Sequence, residues 1–600
     1  MELIQQRLGA LREQMAAQQL DALIIPRADE YLGEYLPEHN ERMYWASNFT
    51  GSAGVVIVLR ERAAIFVDGR YTVQVRQQVS EELFEILHLV ETPNIKWLSQ
   101  QLEAGARVGY DPRMHSLQWQ KAAKKTLAGA KVELVETPEN LIDLCWHDRP
   151  QPEIKQALLL DEKYTGQSSA EKRVEIGAQV AEQGAEAALI FAPDSVAWLL
   201  NIRGRDIPSM PLVLGFAMLY SDGRMQFFTD PAKIPEGFDN HVGEGVKVLP
   251  EADAPAVFAE MSGHTVLADP VTANAWCQLQ LQRAGAELIA SDDPVLLPKA
   301  CKNNVEVQGM RDSHVRDGVA EVRFLAWLDA EVAAGKLHTE AELSDKLFSF
   351  RAQQELFQET SFDTISAAAG NAAMCHYNHL NVEQASALEM DSVYLVDSGG
   401  QYLDGTTDIT RTVAIGNPGD EVRKRFTLVL KGHIALDRAV FPEGTTGTQL
   451  DILARQFLWH EGLDYDHGTG HGVGAFLSVH EGPQRIAKTG NAYDLRPGMV
   501  VSNEPGYYKD DSYGIRCENL VVVRESGASN DEGPGMLEFE AITMVPFDRR
   551  LVDESLLDAA ELAWLNNYHS EVREKVAPYL DNPEELKWLE HATQAIGVAA

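Results

Sequence analysis

Four carboxylates and one histidine between Asp397 and Glu518 stand in short, glycine-flanked segments of strand character, and no other feature constrains the chain as much. The segments are VDSGGQYLDGTTDITRT (396–412), HGTGHGVG (467–474), SNEPGYY (502–508) and YGIRCENLVVV (513–523). An acid flanked by core-type residues is costly to bury unless a cation meets it. The apolar run before Asp397 and the strand-like DITRTVAI after it put Asp397 and Asp408 on neighbouring strands joined by a Gly-rich connection. Strand periodicity then sets Thr406, Asp408, Thr410 and Thr412 on one side, and Arg516 with Glu518 on one face, opposite Ile515 and Cys517.

Taken singly, each acid has an ordinary reading: an Asp before Ser-Gly makes a turn, Glu504 ends a strand, Glu518 pairs with Arg516. Together they carry four negative charges, which two divalent cations would cancel. Oxygen ligands plus one imidazole suit Mn²⁺, Co²⁺ or Zn²⁺, and the lack of paired cysteines argues against structural zinc. His467 and His471 fall in the glycine-rich stretch HGTGHGVG, read as a loop, and His480 follows in LSVHEGP, all beside the acids. As a phosphate cradle that stretch lacks the Lys and following helix of a P-loop.

The formal charge of −38 disfavours nucleic acid or anionic membrane as partners, since phosphates would be repelled. Cys145, Cys277, Cys301, Cys375 and Cys517 are odd in number, widely spaced and without a CxxC pair, which implies a reducing compartment. Cys375 and Cys517 adjoin His376 and Glu518 but read as small strand-filling residues. The start, MELIQQRLGALREQM, reads as an amphipathic helix rather than a signal peptide, and a cytoplasmic location is expected.

Six hundred residues exceed one core, and the first half repeats itself coarsely. A helix over 2–19 leads into ALIIPRAD, VVIVL and AAIFVDGR. A second, over about 170–184, leads into ALIFAPDS, GFAMLY and MQFFTD. The joints are HDRPQPE (147–153) and DDPVLLPKACKNN (292–304), giving α/β domains over 1–152 and 153–302 and a third domain over 303–600. In the third, a helix from about Val305 to Ala334 and one opened by a capping box at Thr339 and Glu342 precede the first acidic strands. Helical segments at 420–440 and 446–462, the latter ended by Gly462, repeat the pattern, and helices follow about 553.

On DSGGQYLDGTTDITRT, HGTGHGVGAFLSVHEGP and SNEPGYY through GIRCENLVVV, the chain resembles the Xaa-Pro aminopeptidases (aminopeptidase P) of the long, three-domain cytosolic type, in the pita-bread metallopeptidase superfamily. The resemblance implies two tandem creatinase-like α/β domains followed by a pita-bread catalytic domain. It implies Asp397, Asp408, His471, Glu504 and Glu518 as ligands of two ions, typically Mn²⁺, with Asp408 and Glu518 bridging. Glu504 would also shuttle a proton, and a hydroxide between the ions would be the nucleophile. His376 and His480 would contact substrate and the developing oxyanion, His467 would line the substrate pocket, and Arg516 would hold a metal carboxylate in place. The family usually reads His-Tyr-x-Pro where this chain reads His376-Tyr377-Asn378-His379; Tyr377 assigns the role to His376.

The substrates so implied are peptides with proline second, whose imide nitrogen has no N–H and which ordinary peptidases cannot hold. A homodimer is implied too. Prolidase, which takes Xaa-Pro dipeptides and is generally built with one N-terminal domain, is the alternative. A metal-free pita-bread binding protein is a more distant one, disfavoured because all five ligand positions are filled.

Overall fold

The computed structural model describes residues 1–528 and 533–597, in two compact units. One comprises Met1–Leu160 and Gln167–Leu296, the other Asp161–Gly166 and Leu297–Ala600.

The first unit holds two six-stranded mixed sheets of the same topology. In the first, the strands run Phe84–His88, Ala63–Val67, Val55–Leu59, Ala22–Pro26, Arg107–Tyr110 and Glu133–Glu136 in spatial order. In the second they run Val246–Leu249, Met225–Phe228, Phe216–Tyr220, Ala187–Ile190, Thr265–Ala268 and Glu287–Ala290. Each sheet has the same sequence of partners: a parallel edge, two antiparallel pairs, then two parallel pairs. Central strands such as VVIVL and AALI are apolar throughout because both faces are covered, so they read as runs rather than alternations. The helices Glu2–Ala17 and Ser169–Glu182 occupy matching places before the first strand of each sheet. The repeat extends to the helix starts: Ser116 and Asn274, each the N-cap of a helix, bridge to one another.

The second unit is the pita-bread domain. Asn303 opens its 30-residue helix Asn304–Ala333 with a capping box to Glu306, and Thr339 opens Glu340–Arg351 with one to Glu342. A three-stranded antiparallel sheet follows: Ile365–Ala368, Ser392–Ser398 and Ile409–Ile415. The second half repeats helix, helix, strands with Asp420–Asp437, Gly447–Trp459 and a six-stranded sheet that includes Gly470–Gly472, Glu481–Ile486, Val500–Asn503 and Asn519–Glu525. Gly462, at φ +71°, follows the second of these helices. The halves match at their second helices too, since Thr339 bridges Ala387 as Thr446 bridges Asp494. Helices Ala559–Val576 and Pro583–Ala592 complete a core in which Leu565, Val572 and Leu589 pack with Val319, Val322 and Phe426.

Four local expectations are corrected. YGIRCENLVVV is two strands, Tyr513–Arg516 and Asn519–Glu525, in different sheets and broken at Cys517–Glu518. Thr406 belongs to the separate strand Gly405–Thr406 and bonds Gln401, so it does not share a face with Thr410, and Asp408 precedes its strand by one residue. His471 lies in the strand Gly470–Gly472 rather than a loop, and Cys375 in a turn rather than a strand. Cys517 does fill the core, with Ile515. All five cysteines are unpaired. Among the described residues no helix is long and apolar enough to cross a membrane.

Candidate metal centre

The five candidate ligands converge because they stand at strand ends and strand breaks, where side chains from two sheets face the same space. Asp397 lies in the strand Ser392–Ser398, directly opposite Thr410. His471 comes from the short strand beside Val500–Asn503, Glu504 from the residue after that strand, and Glu518 from the break before Asn519. The main chains come very close here: a Cβ on Gly470 would lie 1.9 Å from the Ser502 carbonyl oxygen, so only glycine fits. Glu504 N–H donates to the Thr469 carbonyl at 2.8 Å and fixes the turn that aims its carboxylate.

Asp408, His471 and Glu518 each offer an atom within 4.8 Å of the others, a spacing that suits one metal ion. His471 Nε2 lies 3.4 Å from Asp408 Oδ2 and 3.6 Å from Glu504 Oε1. Asp397 presents Oδ1 buried and without a hydrogen-bond partner, while its Oδ2 accepts from Arg516 Nη2 at 2.5 Å. A buried carboxylate oxygen with no donor is what a cation would satisfy.

The electrostatics agree. Burial pushes Asp397 up to about 7 against the pull of Arg516, with Asp408 and Glu504 adding to the rise. Burial, then the charges of Asp408, Asp397 and Glu504, push Glu518 well above the carboxylate range, and burial raises Glu504 despite His471 and Arg516. Burial would lower His471, but Asp408 and Glu504 outweigh it and push the imidazole up to about 9. Acids packed so closely are costly to ionise together, and divalent cations are the chemically matched counter-charge.

Arg516 organises the cluster from behind. Its Nε donates to Thr410 Oγ1 at 2.9 Å, and Thr410 in turn donates to Glu518 Oε2 at 2.6 Å. Its Nη1 donates to the Tyr508 hydroxyl at 2.8 Å. Tyr508 Oη stands 2.8 Å from His467 Nε2, and His467 Nδ1 2.6 Å from the Gly468 carbonyl. With Nδ1 donating to that carbonyl, Nε2 accepts from Tyr508, which fixes the tautomer. In the sequence, the alternation beside Asp408 is the available signal for Thr410, and nothing marks Tyr508.

The remaining histidines differ in their surroundings. The His480 ring meets His471 edge to face at 4.4 Å. His376 lies in the turn whose Cys375 thiol, raised by burial, faces Arg516, Tyr508 and Glu504. His379 is buried elsewhere: its charged neighbours are Glu340, Asp345 and Asp363, and Tyr377 donates to Glu340 Oε2 at 2.7 Å.

This domain and its acid cluster define a metallopeptidase. Residues 308–525 match the model of metallopeptidase family M24, and residues 535–596 that of the C-terminal region of peptidase_M24. Residues 7–144 and 148–306 each match a creatinase/prolidase N-terminal domain. The "Probable Xaa-Pro aminopeptidase P" of Tuber melanosporum is 40% identical over 98% of this chain and 99% of its own. "Aminopeptidase P2" of Arabidopsis thaliana is 39% identical over 96% and 86%. The crystal structure of X-prolyl aminopeptidase from Caenorhabditis elegans, described as a cytosolic enzyme with a di-nuclear active site, superposes with a TM-score of 0.94 at 35% identity, covering 99% of this chain and all of that one. The chain belongs to the aminopeptidase P branch of family M24.

Proposed function

We propose that this enzyme hydrolyses the N-terminal Xaa-Pro bond of peptides with the aid of two divalent metal ions. The observation that carries the reading is the convergence of Asp408, His471 and Glu518, the two acids buried, beside Asp397 and Glu504, in a chain matched end to end by aminopeptidases P. Asp397, Asp408, His471, Glu504 and Glu518 would hold the ions, Asp408 and Glu518 serving both. When bound, such a pair activates water and polarises the scissile carbonyl.

The chain's own groups supply the rest. Glu504, at the edge of the cluster, takes the proton of the attacking water and delivers it to the proline nitrogen. His480, against His471, and His376, in the turn facing Glu504, donate to the substrate carbonyl oxygen as charge develops on it. His467, its tautomer set by Tyr508, lines the pocket. Arg516 keeps Asp397 and, through Thr410, Glu518 in place.

Manganese as the metal and a homodimeric assembly are part of the proposal and rest on family resemblance. A cytoplasmic location is supported by five unpaired cysteines and by the Caenorhabditis relative described as cytosolic. The test is hydrolysis of Arg-Pro-Pro by the metal-loaded protein, with elemental analysis before and after chelation. Release of arginine that stops with two equivalents of metal removed is expected. Full activity in a metal-free sample would sink the reading.

A further inference from the structure

Beside the metal centre lies a second buried cluster of charges that none of the roles above uses. Glu481, adjacent to His480, has a fully buried carboxylate. Lys299 Nζ lies 3.1 Å from its Oε2, and Lys302 Nζ donates to its Oε1. Both lysine side chains are 1% exposed. Two ammonium groups meet at one carboxylate in the buried interior. Burying such a set weakens a fold relative to apolar packing, so a clamp of this kind points to positional control.

The geometry shows what is held. The Gly470–Gly472 and Glu481–Ile486 strands pair His471 with Arg485, then jump register so that Gly472 faces Glu481. At Gly472 a Cβ would lie 2.2 Å from the Glu481 carbonyl oxygen, so the Glu481 main chain is seated directly on this glycine. Glu481 is thus fixed at its backbone by Gly472 and at its carboxylate by two lysines. The preceding loop closes with Gly474 N–H donating to the Ser478 carbonyl at 2.9 Å and carries Phe476 at φ +50°, a strained conformation for a bulky residue that persists only where its surroundings impose it. At the end of this loop stands His480, its ring 4.4 Å from that of His471.

We propose that Lys299 and Lys302 are positioning residues for the reaction: through Glu481 they hold His480 in the orientation that meets the developing oxyanion. The inference rests on the role given to His480 under the proposed function. Both lysines come from the short segment between the last strand of the N-terminal sheets and the first catalytic helix, so a stretch of chain that reads as a connector takes part in the chemistry.

The experiment compares Lys302→Met, His480→Ala and the double variant in the metal-loaded, full-length enzyme. Lys302→Met keeps the Lys299–Glu481 contact and replaces one ammonium by an apolar side chain of similar length, so Tm is expected to hold. Meanwhile kcat on Arg-Pro-Pro should fall roughly tenfold or more, with KM and metal content unchanged, as for partial loss of an oxyanion donor. The double variant should be no slower than His480→Ala alone, because both act through one imidazole. A lowered Tm with unchanged kcat would make the clamp merely structural and overturn the inference, as would additive effects in the double variant. If Lys302→Met misfolds, Lys299→Met leaves the other pair and is read in the same way. If His480→Ala itself turns over normally, the role of His480 in the proposed function fails. A slow His480→Ala beside a normal Lys302→Met removes only the clamp.

Discussion

Arg411 donates from Nη1 to the main-chain carbonyl of Glu518. The same guanidinium, fully buried, reaches the Thr410 and Val545 carbonyls at 3.0 and 2.7 Å, Asn519 Oδ1 at 2.8 Å and the Tyr568 hydroxyl at 3.0 Å. Its partners are neutral dipoles, and Tyr568 comes from the helix Ala559–Val576. That helix therefore reaches the residue that bears a candidate metal ligand. Tyr568→Phe should destabilise the protein by about 1–3 kcal/mol, the cost of an unmet buried partner, and weaken metal affinity as Glu518 loosens. Thermal unfolding and a metal-competition titration check both, and an unchanged Tm would deny the coupling.

Asp437, last residue of the helix Asp420–Asp437, is a half-buried acid at the negative end of a helix dipole. Trp564 Nε1 donates to its Oδ2 at 2.7 Å, and its Oδ1 has no hydrogen-bond partner. Burial pushes its carboxyl up to about 7. Because the folded state holds this proton more tightly than the unfolded chain, the group stabilises the fold fully below about pH 4, and the contribution is lost as pH rises to about 7. Asp437→Asn keeps the acceptor for Trp564 and cannot ionise. Its stability advantage over the parent should therefore widen between pH 4 and 7 and then stay level, at about 1–4 kcal/mol. Melting curves at pH 5 and pH 8 decide it: equal gaps at both values would show that Asp437 does not titrate as stated.

Much of the site was open to reading because its chemistry is local in sequence. Asp397, Asp408, His471, Glu504 and Glu518 are each flagged by an acid or imidazole among glycines and core residues, and strand alternation brings Thr410 into register with the acids. Strand breaks were less legible: Cys517 and Ile515 do face the core as alternation requires, yet the chain changes sheet between Arg516 and Asn519, which no residue type announces. The bond from Arg411 to Tyr568 spans 157 residues and has no periodic signal. PKACKNN reads as a solvated joint because lysines there are ordinarily exposed. Lys299 and Lys302 are buried where Glu481, far along the chain, meets them.

Glu504→Gln removes a candidate ligand and the group assigned to proton transfer while keeping the side-chain shape. Turnover should drop by roughly 10²- to 10⁴-fold, with the fold intact by circular dichroism. Near-normal kcat in the metal-loaded variant would take Glu504 out of the mechanism.

The two histidines of the His376-Tyr377-Asn378-His379 run separate cleanly by their surroundings. His379 sits among Glu340, Asp345 and Asp363, whereas Cys375 beside His376 faces Arg516, Tyr508 and Glu504. His376→Ala should lower kcat by about 10²- to 10³-fold, as loss of an oxyanion donor does, with metal content unchanged. His379→Ala should mainly lower Tm. A larger kcat effect at His379 than at His376 would reverse the assignment.

Substrate length separates an aminopeptidase P from a dipeptidase. Two creatinase/prolidase-type domains precede the catalytic one, and relatives named as aminopeptidases P match the chain from end to end. An enzyme for longer peptides gains by using contacts to residues beyond the proline to align the scissile bond. A dipeptide, ending in a carboxylate at proline, cannot supply them, so truncation should reduce kcat as well as affinity. A preference for Arg-Pro-Pro over Arg-Pro of roughly tenfold in kcat/KM takes only about 1.4 kcal/mol of added transition-state binding, and at least that much is expected. Steady-state kinetics on the two peptides at one metal loading measure it. A clear preference for Arg-Pro would assign the chain dipeptidase activity while leaving the metal centre as described.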